Sequence, residues 1–311
     1  MSKNRLNYGD ARLYLIHALT SLHVGSGRGT GFIDLPIMRE KTTGWPIIPG
    51  SSVKGVWLDY YSAMPGADTS KIRVAFGREE NDPEDEHAGS LAITDARIIL
   101  FPVRSFYGTF AYATSPLVLT RLVRDLEAAG IASPVDGVPE VKSEEGVLVT
   151  GDSALKLKEK GKDLVFFEDL DLTVEQEGEE QVEKWAVYFS RILFDEHYAN
   201  LLKRRFAVVP DSTFDYLSQQ GTEINTRIRI DSETKVVARN ALWNEEYLPA
   251  ETVLGGIVWC DQVYSSDELT PSNLLNVFCK DPIICQMGGK KTIGKGRVRC
   301  LFVGGENQDG N

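Results

Sequence analysis

Cysteine is scarce in this chain and crowded towards one end: Cys260, Cys279, Cys285 and Cys300 all fall in the last fifth of its 311 residues. No C-x-x-C pair and no histidine at zinc-ligand spacing accompanies them, which excludes a zinc finger or ribbon and leaves buried free thiols as the expectation. Long apolar runs are missing as well. No stretch approaches the roughly 20 apolar residues that a membrane helix needs, and the first forty residues hold no apolar run of secretory length. A soluble, cytoplasmic protein with no membrane partner is expected. Basic excess is the third absence: 34 Lys and Arg against 45 Asp and Glu give a net charge of −11. Because phosphate binding draws on Lys and Arg, that total argues at first against a nucleic-acid partner.

The total conceals a segregation. Much of the acid sits in residues 79–86 and 175–183, whereas 286–300 hold Lys290, Lys291, Lys295, Arg297 and Arg299 and no Asp or Glu. One face can therefore be basic while the whole is acidic.

Two nucleotide-binding motifs are approached and missed. The run Gly25-Ser26-Gly27-Arg28-Gly29-Thr30-Gly31 places Thr30 where a G-x-G-x-x-G motif needs its third glycine, and extended Phe32-Ile33-Asp34-Leu35-Pro36 follows instead of a helix. Around Gly288-Gly289-Lys290-Lys291-Thr292, Lys291 stands at the Ser/Thr position of a P-loop and Ile284 at its first glycine. Nucleotide hydrolysis is excluded on both counts. Glycines without a helix can still let the backbone run close to a phosphate chain and offer it N–H groups. The stretch 288–297 combines four glycines with four cations and is read as a phosphate contact.

At this length the chain accommodates one core domain with long insertions as well as it does two domains. Strand candidates are residues 12–19, 90–100, 164–168, 206–209, 253–260, 283–286 and 298–303. Helices are predicted over 53–61, with Ser51 or Ser52 as cap, over 116–129 after Ser115, over 184–194, and over 271–279 after Thr270. Residues 131–163 and 173–183, rich in Gly, Pro and charge, read as surface loops. From 223 to 231, Ile224, Ile228 and Ile230 share one strand face and Asn225, Arg227 and Arg229 the other, and residues 232–234 can turn the chain into 235–238. That is a projecting hairpin with a basic side, which needs something to pack against. The pattern predicts an α+β fold: a ferredoxin-like (RRM-like) core with an inserted helical region at about 60–210, a hairpin at 222–240 and a glycine-rich loop at 286–299.

Taken together, His23-Val24-Gly25-Ser26-Gly27, Ile33-Asp34-Leu35-Pro36-Ile37, Arg39-Glu40, Thr43-Gly44-Trp45-Pro46 and Ile48-Pro49-Gly50-Ser51-Ser52-Val53-Lys54-Gly55 resemble the N-terminal signature of the RAMP superfamily of CRISPR proteins. Residues 288–297 resemble its C-terminal glycine-rich loop. Asp34-Leu35-Pro36-Ile37 and Ala241-Leu242-Trp243-Asn244-Glu245-Glu246-Tyr247-Leu248-Pro249 point within it to the multi-copy backbone subunit of the type III-B (Cmr) effector complexes. The middle of the chain, roughly 60–210, is matched only loosely.

The resemblance implies a single RAMP-type domain that stacks with further copies of itself and other Cmr-complex subunits along a guide CRISPR RNA, with the hairpin as a thumb. It implies cleavage of complementary single-stranded target RNA at intervals of about six nucleotides, with base pairing supplying the specificity. Divalent metal, Mg2+ or Mn2+, is implied as cofactor. Asp34 matches the family's catalytic aspartate, orienting or deprotonating the ribose 2′-hydroxyl directly or as a metal ligand. His23, Glu245 and Tyr247 match further active-site positions, with Glu246 beside them; an exposed loop after the hairpin is the bland alternative for 245–247. Ser51, Ser52 and Lys54 at a helix start match guide-phosphate contacts. Arg39, Arg227, Arg229, Lys290, Lys291, Lys295 and Arg297 complete the expected RNA-binding set. Two other readings stand beside this one: a non-catalytic guide-binding scaffold of the same fold, and a metal-independent guide-processing ribonuclease working through His23 and a tyrosine.

Overall fold

The computed structural model describes residues 10–29, 31–77, 88–230, 233, 236–264 and 269–304, without the side chains of 237–240. The first strand, β1 (Asp10–Ala18), is buried on both sides: Tyr14 and Ile16 enter one core cluster, Leu13 and Leu15 the other. Alternate side chains of a strand face opposite ways, so covering both faces requires an almost unbroken apolar run. After β2 (Ile47–Ile48), helix α1 (Gly50–Ser62) buries Val53 and Trp57 in the first cluster. Next come α2 (Thr69–Phe76), β3 (Ala92–Ile93), β4 (Ala96–Arg104), β5 (Phe110–Thr114), α3 (Pro116–Ala128), β6 (Gly146–Val149), β7 (Leu157–Glu159), β8 (Lys162–Phe167) and β9 (Leu170–Val174). The remainder is α4 (Glu179–Leu193), α5 (Ala199–Lys203), β10 (Phe206–Val208), α6 (Asp211–Gln220), β11 (Glu223–Ile230), β12 (Val237–Tyr247), β13 (Val253–Cys260), α7 (Pro271–Phe278), β14 (Ile283–Gln286) and β15 (Arg297–Val303).

Thirteen strands form one mixed sheet, ordered β14-β15-β1-β13-β4-β5-β10-β6-β9-β8-β7, with β2 beside β4 and β3 beside β13; β11 and β12 form a separate two-stranded hairpin. Helices α1, α2 and α7 cover one face and α3 and α4 the other, each through its apolar stripe. The result is a mixed α/β fold with seven helices among the described residues.

Strands β13 and β14 have the expected bounds, and Ser115 and Thr270 cap α3 and α7, Thr270 through a full capping box. Three expectations are corrected. Neither Ser51 nor Ser52 caps α1; Pro49 occupies that position, and Asp95 Oδ1 accepts the first helical N–H, from Gly50, at 2.8 Å. Residues 131–163, read as surface loop, contain β6, all of whose residues are buried, and 173–183 contain the end of β9 and the start of α4. Residues 60–210 are more than helices and loops, since β4, β5, β6, β8, β9 and β10 all extend the main sheet. In the hairpin, the apolar side is the exposed one: Ile224, Ile228 and Ile230 face out while Asn225 and Arg227 are half-buried. Of its expected turn, residues 232, 234 and 235 lie outside the described residues, as does the acidic run 79–86.

Candidate functional site

Three segments meet at one end of the sheet: the loop after β1, the end of β12, and the turn between β14 and β15. The first folds back on itself, with Met38 N–H donating to Val24 O at 2.7 Å and Gly29 N–H to Asp34 O at 2.9 Å. It is then latched to β12, because Leu35 N–H donates to Asn244 O at 3.1 Å and Glu246 N–H to Leu35 O at 3.0 Å. This backbone ladder exposes Asp34 and brings its Oδ2 within 2.8 Å of the Asn244 N–H. One carboxylate oxygen is held; the other has no hydrogen-bond partner among the described residues.

The same strand buries Glu245, which is 1% exposed. Its carboxylate accepts from Trp243 Nε1 at 2.7 Å, from Arg227 Nε at 3.2 Å, from the Tyr247 hydroxyl and from Lys290 Nζ. Burial pushes the Glu245 carboxyl up, but the bonds from Lys290, Tyr247 and Trp243 outweigh it and hold the group down at about 2. Glu245 thus ties the hairpin to the glycine-rich turn. Glu246, also buried, accepts from Ile37 N–H at 3.0 Å and pairs with Arg39 at 2.6 Å. The exposed-loop alternative for 245–247 is overturned, since all three residues are buried on a strand.

His23 is buried, and its Nδ1 donates to Glu246 O at 2.7 Å, an assignment that follows because a carbonyl can only accept. Its own carbonyl accepts from Gly289 N–H at 2.9 Å. At Gly288, φ is +72° and a Cβ would lie 2.3 Å from His23 O, so only glycine lets the turn approach this closely. His23 thus joins the two segments, its ring bonded to β12 and its backbone carbonyl to the glycine-rich turn.

The expected RNA contacts separate into two groups. Arg39, Arg227, Lys290 and Lys295 are engaged in ion pairs with Glu246, Glu245, Glu245 and Glu223, and Lys295 Nζ also lies 4.8 Å from the Tyr247 ring centroid. Arg229, Lys291 and Arg297 are exposed, and Lys54 is half-buried with its amine pushed down by burial; none of these four has a carboxylate partner among the described residues. Ser51 is exposed and Ser52 half-buried at the start of α1. The four cysteines are free, Cys285 half-buried and the others buried.

Asp34 opens onto a cleft of about 460 Å³ lined by Arg28, Gly29, Asp34, Leu35, Leu242, Trp243 and Lys290. No cluster of three His, Cys, Asp or Glu side chains that could hold a metal occurs among the described residues. Mg2+ usually keeps several waters and binds through one or two carboxylates plus substrate phosphates, so the free oxygen of Asp34 suits a hydrated ion shared with RNA and does not form a protein cage. Sequence reasoning assigned no role to Arg28, Trp243 or Asn244. For the last two the signal was their place next to Glu245, but nothing in the sequence says that Asn244 acts through its backbone.

The profile of the RAMP superfamily matches residues 15–299, spanning all three converging segments. The chain belongs to the RAMP superfamily. This RAMP protein is 34% identical over 302 residues to the CRISPR system Cmr endoribonuclease Cmr4 of Pyrococcus furiosus, covering 96% of this chain and 98% of that one. The crystal structure of oligomeric Cmr4 from Pyrococcus furiosus matches it with a TM-score of 0.71 at 27% identity, covering 96% of this chain and 99% of that one. A chain in the cryo-EM structure of the type III-B Cmr-beta complex bound to cognate target RNA shares the fold, with a TM-score of 0.73 at 22% identity over 95% and 98% of the two chains. The resemblance read from the sequence motifs is borne out at the level of family.

Proposed function

We propose that this RAMP protein is a repeated backbone subunit of a type III-B CRISPR effector complex that binds guide RNA and cuts complementary target RNA. The observation that carries this is the exposed Asp34 carboxylate, latched to Asn244 at the mouth of a cleft, in a chain 34% identical over nearly its full length to a Cmr endoribonuclease. The strand order β15-β1-β13-β4, with α1 and α7 as the intervening helices, supports a ferredoxin-like core. The β11–β12 hairpin, projecting with an exposed apolar side, supports the thumb reading.

In the mechanism, the free oxygen of Asp34 accepts or orients the proton of a ribose 2′-hydroxyl, which attacks the adjacent phosphorus as the 5′-oxygen leaves. A divalent ion held by Asp34 would supply charge stabilisation at the phosphate oxygens. Glu245, Tyr247 and His23 act as positioning residues: Glu245 accepts from Lys290, the Tyr247 hydroxyl donates to Glu245, and His23 Nδ1 donates to the Glu246 carbonyl. Of the expected RNA contacts, Lys54, Arg229, Lys291 and Arg297 have no carboxylate partner among the described residues and can take phosphates.

The test is the assembled complex carrying Asp34→Ala, given guide and matched target RNA. Spaced products should vanish while guide and target binding persist. Spaced cutting at the wild-type rate would overturn the assignment.

A further inference from the structure

Among the described residues, Trp243 is the one aromatic lining the Asp34 cleft. Its indole is oriented from behind, because Nε1–H donates at 2.7 Å to a carboxylate that is itself buried, Glu245 Oε1. With its polar edge committed to the interior, the half-buried ring offers the cleft carbon surface alone. The next residue, Asn244, holds Asp34, so ring and carboxylate are separated by a single step of β12. Arg28 lines the same cleft, is exposed, and has no carboxylate partner among the described residues.

An aromatic plane, a carboxylate and an unpaired guanidinium in one cleft match the three parts of a nucleotide. We propose that Trp243 is a base-stacking platform for the target nucleotide beside the cut, with its ribose at Asp34 and a phosphate towards Arg28. This rests on the reading of Asp34 as the cutting carboxylate. Every base has a π-face, so such a platform positions the nucleotide without selecting its identity, as guide-directed cutting requires. The stacked base is ordered by a ring that is already fixed, so little side-chain freedom is lost on binding.

The test pairs protein and substrate changes in the assembled complex, read as single-turnover cleavage. Base–aromatic stacking of about 1–3 kcal/mol corresponds to about 5- to 150-fold in rate. Trp243→Ala should slow cutting of intact target by a factor in that range. Wild-type complex should slow equally on a target made abasic at one of the two nucleotides flanking the cut. Combining the variant with that target should add no further loss, and Trp243→Phe, which keeps a ring and drops the N–H, should restore most of the rate on intact target. The proposal is overturned if Trp243→Ala cuts normally, if the losses multiply at both flanking positions, or if Trp243→Phe falls as far as Trp243→Ala. Wild-type cutting by the Asp34→Ala complex would sink the parent reading alone, because the coupling between Trp243 and the base is measured separately.

Discussion

The backbone N–H of Asn244 donates to Asp34 Oδ2 at 2.8 Å across 210 residues of chain, making the conformation of the N-terminal loop depend on β12. An asparagine at position 34 can keep that bond through its amide oxygen while losing the charge. Asp34→Asn should therefore leave the loop, complex assembly and guide binding intact but lower target cleavage by about 10²- to 10⁴-fold, the span attributed to a positioned acid–base group. Single-turnover rates with matched target check this. An Asp34→Asn complex cutting within a few-fold of wild type would mean that the carboxylate's charge is not used.

Two carboxyl groups make acid stability predictable. Glu40 is held down to about 2 chiefly by its bonds from Arg121, at 2.5 and 2.9 Å, and Glu245 to about 2 by Lys290, Tyr247 and Trp243 against the opposing effect of burial. Both lie below their ordinary 4.5 in the folded state, so the stability they contribute is complete above that value and is lost as pH falls towards 2. Urea midpoints should stay nearly flat from neutrality to about pH 5 and then decline steeply. Glu40→Gln and Glu245→Gln should each lower the neutral-pH midpoint and flatten the acid decline. An acid decline unchanged in both variants contradicts the assignment.

The glycines of the β14–β15 turn are not equivalent. At Gly294, φ is +77° and an added Cβ would point into open space, so alanine there meets only the left-handed backbone penalty of about 1–2 kcal/mol. Gly288 carries the same penalty and, in addition, the collision with His23 O. Gly288→Ala should cost more stability than Gly294→Ala and, by shifting the turn that bears Lys290, Lys291 and Lys295, should also weaken guide binding. Thermal denaturation and guide-binding titrations on both variants check the order.

What the sequence disclosed was mostly local. The apolar run of β13 and the caps Ser115 and Thr270 are written within a few residues of the elements they set. Strand β6 was missed because a glycine and three apolar residues between glycine- and charge-rich stretches are too short to show a period, and its place in the sheet is set by pairing with β9 and β10. The cap of α1 was misread because Asp95, 45 residues away, supplies the acceptor. The site divides in the same way. Asp34 was identified through family motifs, not through its own neighbours. The burial of Glu245 was not legible because two of its four donors, Arg227 and Lys290, lie 18 and 45 residues off in sequence.

Those pairings also sort the cations by consequence. Each unpaired cation that neutralises a single-strand phosphate contributes about 0.7 to the slope of log affinity against log salt. Lys54→Ala, Lys291→Ala, Arg229→Ala and Arg297→Ala should each reduce that slope for guide RNA by up to about 0.7 with little change in thermal stability. Arg39→Ala and Lys290→Ala should do the opposite, because they strip partners from buried Glu246 and Glu245. Breaking a buried pair costs about 3–5 kcal/mol, and the partial exposure of both cations brings the expected loss to about 1–3 kcal/mol. Salt titrations of guide binding alongside denaturation curves separate the groups, and equal stability losses across all six variants would show that the ion pairs do not decide the roles.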